Sequence, residues 1–117
     1  MTAWFELSKS KDNRYMFVLK AANSEIILTS ELYHTKASAE DGITSVRANC
    51  RTEERYELLP SKNGKFYFNL KAANHQVIGT SQMYETKQGR DVGIASVKVN
   101  GSTMNVKDIT SAFKDAA

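Results

Sequence analysis

Short stretches of alternating apolar and polar residues, each followed by a turn dipeptide, open the two halves of the chain. Residues 5–7 read Phe-Glu-Leu and residues 56–58 read Tyr-Glu-Leu, which is the alternation of a half-buried β-strand. Asp12-Asn13 and Asn63-Gly64 come next, and both dipeptides tolerate a positive φ in a tight turn. The pattern predicts a β-hairpin at the beginning of each half.

The second strand of each half has one face that is apolar in both copies. This face consists of Tyr15, Phe17 and Leu19 in the first half, and of Phe66, Phe68 and Leu70 in the second. The opposite face is not kept, since Met16 and Val18 become Tyr67 and Asn69. We therefore predict that the first face lies in the core.

A reversal at residues 22–24 (Ala-Asn-Ser) and 73–75 (Ala-Asn-His) leads into a third strand. A three-residue loop would place Ile27 beside Leu19 and Ile78 beside Leu70, on the core face. A two-residue turn would place Ile27 opposite Lys20, because a slip of one residue exchanges the two faces of a strand. We favour the three-residue loop.

The spacing then changes to that of a helix. Ala39, Ile43, Val46 and Cys50 follow one another at intervals of four, three and four residues, which places them on one helical face. Thr35 and Thr86 precede the two helices and are predicted N-caps, since a threonine hydroxyl can accept from a free N–H of the first turn.

Asparagine and glycine recur at fixed places in both helices. Asn49 and Asn100 stand where a helix often ends in a left-handed residue. Gly42 and Gly93 lie inside the helices, at a cost of about 1 kcal/mol relative to alanine. Their recurrence predicts a close backbone approach to the sheet or to the partner helix.

The two halves are copies of one unit. Residues 4–50 and 55–101 align without a gap at a shift of 51, and 21 of the 46 positions from Phe5 to Cys50 are identical in the two copies. Such a period predicts a pseudo-symmetric architecture. We predict an α+β fold in which two tandem β-β-β-α repeats form one six-stranded antiparallel sheet with two helices on one face. Residues 1–117 would form a single domain, with a tail at 102–117. A weaker helical pattern occupies that tail: Val106, Ile109, Phe113 and Ala116.

Composition and charge limit the cellular compartment and the classes of partner that we expect. The 117 residues carry a net charge of +3 and include one cysteine, Cys50, so an intrachain disulfide is impossible and a reducing compartment is expected. The sequence has neither a signal-peptide pattern nor a run of roughly eighteen apolar residues. Basic and acidic residues alternate, whereas nucleic-acid binders usually concentrate positive charge on one face. We expect a monomeric cytoplasmic protein without a membrane segment, for which nucleic acid is an unlikely partner.

Polar residues kept in both copies are the functional candidates, and they form the pairs Lys20/Lys71, Asn23/Asn74, Ser30/Ser81, Tyr33/Tyr84, Lys36/Lys87 and Ser45/Ser96. Six of them are the candidate binding residues: Lys20, Asn23, Tyr33, Lys71, Asn74 and Tyr84. Each also has a structural interpretation. The asparagines are turn formers, the tyrosines can satisfy backbone groups, and the lysines can keep a strand face hydrated. The sequence leaves a pseudo-symmetric binding surface and a purely structural role both open.

Catalytic and metal-binding patterns are not found. His34 and His75 each occur in one copy only, and Cys50 has no second cysteine at ligand spacing. The chain has no Gly-rich phosphate loop, no G-x-S-x-G and no H-E-x-x-H motif. We therefore predict no metal, no cofactor and no catalytic residue, and interpret the protein as a non-enzymatic binding module. The alternative is weak binding of single-stranded nucleic acid on the outer sheet face, through Lys20, Lys65, Lys71 and Tyr67.

The repeats carry a resemblance to a known family. Residues 4–10 (WFELSKS), 17–33 (FVLKAANSEIILTSELY), 42–49 (GITSVRAN), 54–58 (ERYEL) and 65–84 (KFYFNLKAANHQVIGTSQMY) resemble the YegP-like family of small bacterial proteins. Ser24 replaces the glycine that usually follows this asparagine in the family. The resemblance implies one continuous sheet, with each helix exchanged over the other repeat, and it implies no assigned function, catalytic residue or cofactor.

Overall fold

The computed structural model describes residues 2–110. The chain forms seven strands and two α-helices in the order β1 (Trp4–Lys9), β2 (Tyr15–Lys20), β3 (Ile26–Ser30), α1 (Lys36–Asn49), β4 (Tyr56–Pro60), β5 (Phe66–Lys71), β6 (Val77–Thr80), α2 (Lys87–Asn100) and β7 (Val106–Asp108). A 3₁₀ turn at Glu53–Arg55 leads into β4. Each repeat is thus β-β-β-α, as predicted.

All strands belong to one sheet in the order β4-β5-β6-β3-β2-β1-β7. The two repeats meet where β3 pairs with β6, and Thr29 lies opposite its own equivalent, Thr80. The pseudo-twofold axis therefore passes between these two threonines. The prediction of an α+β fold with two helices is confirmed, and the sheet is mostly antiparallel.

The predicted number of six strands is wrong, because β7 adds a seventh. It runs parallel to β1, with Phe5 opposite Val106 and Leu7 opposite Asp108. Val106 was expected in a tail helix, but it lies in this strand. Phe113 and Ala116 of the expected helix lie outside the described residues. The helical spacing covers only a few residues. The edge of β1 offers unpaired backbone groups, and the segment pairs with them as a strand instead.

The core lies between the sheet and the helices. Its largest fully buried side chains include Phe5, Leu7, Phe17, Leu19, Leu28, Phe68 and Leu70 from the strands and Val46 and Val97 from the helices. Burying each such side chain stabilises the fold by about 1.5–3 kcal/mol. The helix face predicted from Ala39, Ile43, Val46 and Cys50 is confirmed as buried.

Each helix crosses the boundary between the repeats. The α1 helix packs on β2 of its own repeat and on β5 and β6 of the other, whereas α2 packs on β5 of its own repeat and on β3 of the other. The exchange implied by the family resemblance is therefore partial, since neither helix leaves its own repeat.

The helix beginnings agree with prediction and the helix ends do not. The hydroxyls of Thr35 and Thr86 accept from the Ser38 and Gly89 N–H groups at 3.1 and 2.9 Å. The left-handed ends expected at Asn49 and Asn100 are wrong, because both residues are helical and the next residue keeps a negative φ. The two side-chain amides instead donate back to the carbonyls of Ser45 and Ser96, one turn earlier.

The β2–β3 hairpin has the predicted loop but a different register. The Ala21 N–H donates to the Glu25 carbonyl at 2.9 Å, so residues 22–24 form a three-residue loop. Leu19, however, pairs with Leu28, because a bulge shifts the register between Leu19 and Lys20. Ile27 is the extra residue and is buried together with Leu28. The expected Ile27–Leu19 pairing is therefore wrong.

The same bulge occurs in the second repeat. Leu70 pairs with Gly79 and Lys71 with Val77, so the expected pairing of Ile78 with Leu70 is wrong as well. A bulge lets two consecutive residues point toward the core, which simple alternation does not anticipate.

Candidate functional site

The six candidate residues separate into two groups on opposite faces of the sheet. Lys20 and Lys71 project from the outer face, which the helices leave uncovered. Asn23 and Asn74 lie in the hairpin loops, and Tyr33 and Tyr84 lie between the third strands and the helices. The structure therefore does not bring all six together in one surface.

Both outer-face lysines are engaged with carboxylates that also recur in the repeats. Lys20 lies 3.4 Å from Glu6, and Lys71 lies 3.1 Å from Glu57. The Asn69 amide donates to Glu57 at 3.2 Å, and this hydrogen bond together with Lys71 lowers the pKa of the Glu57 carboxyl. These contacts favour a structural role for the two lysines.

The nucleic-acid alternative gains no support from this face. Lys65, the third lysine of that hypothesis, lies 3.1 Å from Glu85. Each of the three lysines thus has a carboxylate within ion-pair distance, which reduces the positive potential that a phosphate backbone would meet.

The loop asparagines stabilise their own turns. The Oδ1 atom of Asn23 accepts from the Glu25 N–H at 3.1 Å, and that of Asn74 accepts from the Gln76 N–H at 3.1 Å. The residue between each pair, Ser24 or His75, has a φ of 71°. The asparagines support this left-handed turn through a local side-chain hydrogen bond.

The tyrosines connect the strands to the helices. Tyr33 forms an isolated antiparallel bridge with Tyr15, and Tyr84 forms the same bridge with Phe66. The Tyr33 ring stacks on Phe17 with a centroid distance of 6.3 Å, and Tyr84 stacks on Phe68 at 6.5 Å. Burial raises the pKa of both phenols.

The hydroxyl end of each tyrosine reaches the helix glycine of its own repeat. A β-carbon placed on Gly42 would lie 2.6 Å from the Tyr33 oxygen and 2.9 Å from Phe17 Cε2. One placed on Gly93 would lie 2.6 Å from Tyr84 Cζ and closer still to its oxygen. The predicted close approach of the helix backbone is confirmed, and the groups that it meets are aromatic side chains.

Beside each tyrosine is a small pocket that both repeats build. The Tyr84 pocket, of about 220 Å³, contains Asn23 and Ile27 from the first repeat and Tyr84, Gly93 and Ser96 from the second. Two of the candidate residues, Asn23 and Tyr84, therefore meet across the repeat boundary. Glu25 and Gln82 also line this pocket.

The pseudo-symmetric counterpart is the Tyr33 pocket, of about 190 Å³. Its lining includes Tyr33, Gly42 and Ser45 from the first repeat and Ala72 and Ile78 from the second. Asp41 and Gln76 add polar groups. We refer to the two as the cross-repeat pockets.

Their polar groups are only partly those singled out in the sequence. Ser45 and Ser96 recur in both repeats, and recurrence marks them as candidates. Glu25 and Asp41 do not recur, since Gln76 and Val92 stand at their equivalent positions. No periodic signal could have identified those two carboxylates.

A larger open cleft of about 670 Å³ lies at the pseudo-twofold axis, lined in part by Thr29, Ser30, Thr80 and Ser81. The serines are already engaged with the backbone. Ser30 Oγ accepts from the Phe17 N–H at 2.9 Å and donates to the Glu31 carbonyl at 2.7 Å, and Ser81 makes the equivalent pair of bonds. Their recurrence is thus explained by strand pairing.

Residues 2–110 offer little support for a metal site or a reactive nucleophile. No group of three or more His, Cys, Asp or Glu side chains in this range is arranged to hold a metal ion. Cys50 is buried, and burial raises the pKa of its thiol, which disfavours the reactive thiolate. Across the same range, the helices are too short or too polar to span a bilayer.

Comparison with known proteins places both repeats in one family. The family model described as a domain of unknown function, DUF1508, matches residues 10–57 and 61–108. The UPF0339 protein YegP of Escherichia coli K12 is 67% identical over 110 residues, covering 94% of this chain and 100% of the relative. A UPF0339 protein of Acinetobacter baylyi is 64% identical over 94% of this chain and 99% of its own length.

Two solved structures share the fold. The solution NMR structure of YegP from E. coli matches with a TM-score of 0.89 at 67% identity, covering 94% of this chain and 95% of that one. The solution NMR structure of a UPF0339 protein from Shewanella oneidensis also gives 0.89, at 57% identity and with 94% and 93% covered. The E. coli structure is described as that of a protein of unknown function. The chain belongs to the DUF1508 family of YegP-like UPF0339 proteins.

Proposed function

We propose that the protein is a non-enzymatic binding module that holds a small polar ligand, or one side chain of a partner, in each cross-repeat pocket. The observation that carries this proposal is the meeting of Asn23 and Tyr84 across the repeat boundary. The equivalent pair does not meet in the Tyr33 pocket, since Asn74 does not line it. Each pocket is nevertheless built from both repeats around one recurring tyrosine and one recurring serine.

The size and lining of the pockets limit the ligand. Both volumes, near 200 Å³, lie below the roughly 300 Å³ at which ordinary small-molecule sites begin. Each pocket has a mixed polar and apolar lining that includes one carboxylate, Glu25 or Asp41. A compact group with N–H donors, such as an amine, an amide or a guanidinium, fits this lining.

The experiment is a thermal-shift screen of small amines, amides and amino acids, followed by NMR mapping of any compound that stabilises the fold. A ligand that binds the native state raises the unfolding temperature. We expect shifts in the amides of Gly93 and Ser96, of Gly42 and Ser45, or of both pairs. Enzymatic turnover of a bound compound would contradict the proposal.

Pocket-filling variants provide an internal control. Ser96→Leu should abolish ligand shifts in the Tyr84 pocket and leave those in the Tyr33 pocket, and Ser45→Leu should do the reverse. Lys71→Met, on the outer face, should change neither. Ligand shifts that survive in a filled pocket would disprove this location of the site.

We also infer that the chain is monomeric and works in the bacterial cytoplasm. The two repeats pair with each other through β3 and β6, and β7 covers the edge of β1. The free, buried Cys50 is compatible with a reducing compartment. Sedimentation velocity should give a single species of about 13 kDa, and a stable dimer at micromolar concentration would contradict this inference.

A further inference from the structure

The equivalent edge strands β1 and β4 differ in their covering. β7 pairs with β1 on its outer side, whereas within residues 2–110 β4 pairs with β5 alone. Two equivalent leucines differ in the same direction: Leu7, on β1, is 1% exposed, and Leu58, on β4, is 50% exposed. The second repeat therefore has an open counterpart of a place that is filled in the first.

The filled place shows how an added strand is held. The Phe5 N–H donates to the Asn105 carbonyl, and the Ile109 N–H donates to the Leu7 carbonyl, both at 2.9 Å. Asp108 lies 2.6 Å from Lys36, the first residue of α1. An edge strand and a lysine at the start of the helix thus recognise an extended segment that carries a carboxylate.

The same parts are present beside β4. The register of β4 on β5 matches that of β1 on β2, since Tyr56 lies opposite Leu70 and Phe5 lies opposite Leu19. The backbone N–H and C=O groups of Leu58 therefore point away from the sheet edge, as those of Leu7 do. Lys87 is the equivalent of Lys36, and it forms no ion pair with any described residue.

Cationic and apolar groups meet in a groove at this edge. It measures about 270 Å³ and is lined by Leu58, Leu59, Pro60, Phe66, Lys87 and Arg90. The Lys87 ammonium and the Arg90 guanidinium each lie 5.9 Å from the centre of the Phe66 ring. Arg90 replaces Ala39 of the first repeat, but its guanidinium also lies 3.2 Å from the Asp91 carboxylate, so Lys87 is the cation left to pair with a carboxylate of the added segment.

Two differences between β4 and β1 leave most of the backbone bonding intact. The Tyr56 N–H is taken by the Glu53 carbonyl in the 3₁₀ turn, so one donor is lost. Pro60 has no N–H, but its equivalent, Lys9, lies beyond the three positions at which β1 pairs with β7. The Tyr56 carbonyl and both backbone groups of Leu58 remain for an added strand.

We propose that the β4 edge, with Lys87 and Arg90, binds an extended segment of a partner protein that runs parallel to β4 and has the pattern apolar-x-acidic-apolar. Main-chain hydrogen bonds to an exposed sheet edge are an established mode of peptide recognition. The carboxylate of the segment pairs with Lys87, as Asp108 pairs with Lys36. We choose a partner protein over a second copy, because the matching segment of a second copy, residues 106–109, is already held on its own β1.

The test is a titration of the full chain with a capped synthetic peptide, NVKDIT, which has the sequence of residues 105–110. Binding is followed by the chemical shifts of the protein's amides in two-dimensional NMR spectra. We expect shifts in the Leu58, Leu59 and Lys87 amides. The same peptide with Asp108→Asn should bind at least fivefold more weakly. Lys87→Met in the protein should have an equal effect, whereas Lys36→Met, the equivalent change at the start of α1, should leave binding at β4 unchanged.

Several outcomes would overturn the proposal. They are the absence of shifts at millimolar peptide, shifts confined to β1 and β7 through exchange with the chain's own strand, and equal affinity for the two peptides. Sedimentation of the free protein tests the other possible occupant, a second copy of the chain. A dimer that the Leu58→Lys change dissociates would show that a second copy binds at β4.

Discussion

Cys50 and Gly101 occupy equivalent positions in the two repeats and touch each other. A β-carbon placed on Gly101 would lie 2.7 Å from Cys50 Cβ and 2.9 Å from its sulfur. Both residues end their helices in the same way, donating to the carbonyls of Val46 and Val97. The ends of the two helices therefore meet near the pseudo-twofold axis, where one repeat supplies a side chain and the other leaves space for it.

Leu28 and Gly79 form a second pair of this kind. They are also equivalent, and a β-carbon on Gly79 would lie 2.8 Å from Leu28 Cγ. Where a position faces its own copy across the axis, two identical side chains would compete for one volume. Divergence between the repeats at these positions follows from packing.

We predict that Gly101→Ala destabilises the fold by about 1–3 kcal/mol through overpacking against Cys50. Exchanging the pair, with Cys50→Gly and Gly101→Cys together, should cost less than the sum of the two single changes. Residues in contact commonly show coupling energies of about 0.5–3 kcal/mol. Urea denaturation of the four proteins measures the coupling, and strict additivity would show that the two positions do not compete.

The fold was largely predictable because its signals are local. The Thr35 cap depends on residues within one turn, and the buried helix face depends on spacing alone. The bulge at Ile27 was not predictable, because alternation does not reveal an extra residue. The strand at Val106–Asp108 was not predictable either, because its pairing depends on an edge about one hundred residues earlier in the chain.

The candidate site was predictable only in part. Recurrence identified Asn23 and Tyr84, but it could not show that they meet from different repeats. It also selected Lys20 and Lys71, whose ion pairs with Glu6 and Glu57 recur for structural reasons. Recurrence in a pseudo-symmetric chain marks residues under a common constraint, and packing produces that constraint as readily as binding does.

The helix glycines should respond differently to substitution. We expect Gly42→Ala to cost about 1–3 kcal/mol, because both Tyr33 and the fully buried Phe17 must move. Gly93→Ala should cost less, because the nearest atoms all belong to Tyr84. Helix propensity alone would give a gain of up to about 1 kcal/mol for either change.

Chemical denaturation decides between these effects, and the tyrosine oxygen provides a control. Tyr33→Phe removes the nearest atom to Gly42, so Gly42→Ala should be less costly in that background than in the wild type. Gly42→Leu and Gly93→Leu should both be clearly destabilising. If Gly42→Ala stabilises the protein, the packing of Tyr33 on α1 is not a steric constraint.

The hairpin residues Ser24 and His75 offer a route to stabilisation. Each has a φ of 71°, a left-handed conformation that costs L-residues about 1–2 kcal/mol and glycine little. Glycine loses more entropy on folding, by about 0.4–1 kcal/mol. We therefore expect Ser24→Gly and His75→Gly each to stabilise the fold by about 0.5–1 kcal/mol.

The matched control lies in the same loop. Ala22 does not have a positive φ, so Ala22→Gly should destabilise by about 0.4–1 kcal/mol for the entropic reason alone. Thermal unfolding of the three variants tests the assignment. Loss of stability in all three would mean that the left-handed turn carries no strain at Ser24 or His75.

The docking of β7 should depend on pH through Asp108. Its hydrogen bonds with Lys36, and then with Thr110, lower the pKa of this carboxyl from 3.8 to about 2. A carboxyl with a lowered pKa in the folded state contributes stability that is complete above its unfolded pKa and lost as the pH falls through the folded value. The contact should thus persist at pH 4 and weaken toward pH 2.

NMR titration of the Asp108 carboxyl and of the Ile109 amide, which donates to Leu7, measures this directly. Lys36→Met should raise the pKa of Asp108 toward 3.8, without reaching it while the Thr110 bonds remain. Asp12 is the internal reference, because its pKa is also lowered to about 2, by Arg14 and Ser10, in a turn that does not contact β7. A titration midpoint near pH 3.8 for the Ile109 amide in the unaltered protein would show that Lys36 does not hold the strand. The proposal for the β4 edge would then be weakened, because it takes the Lys36–Asp108 contact as its model.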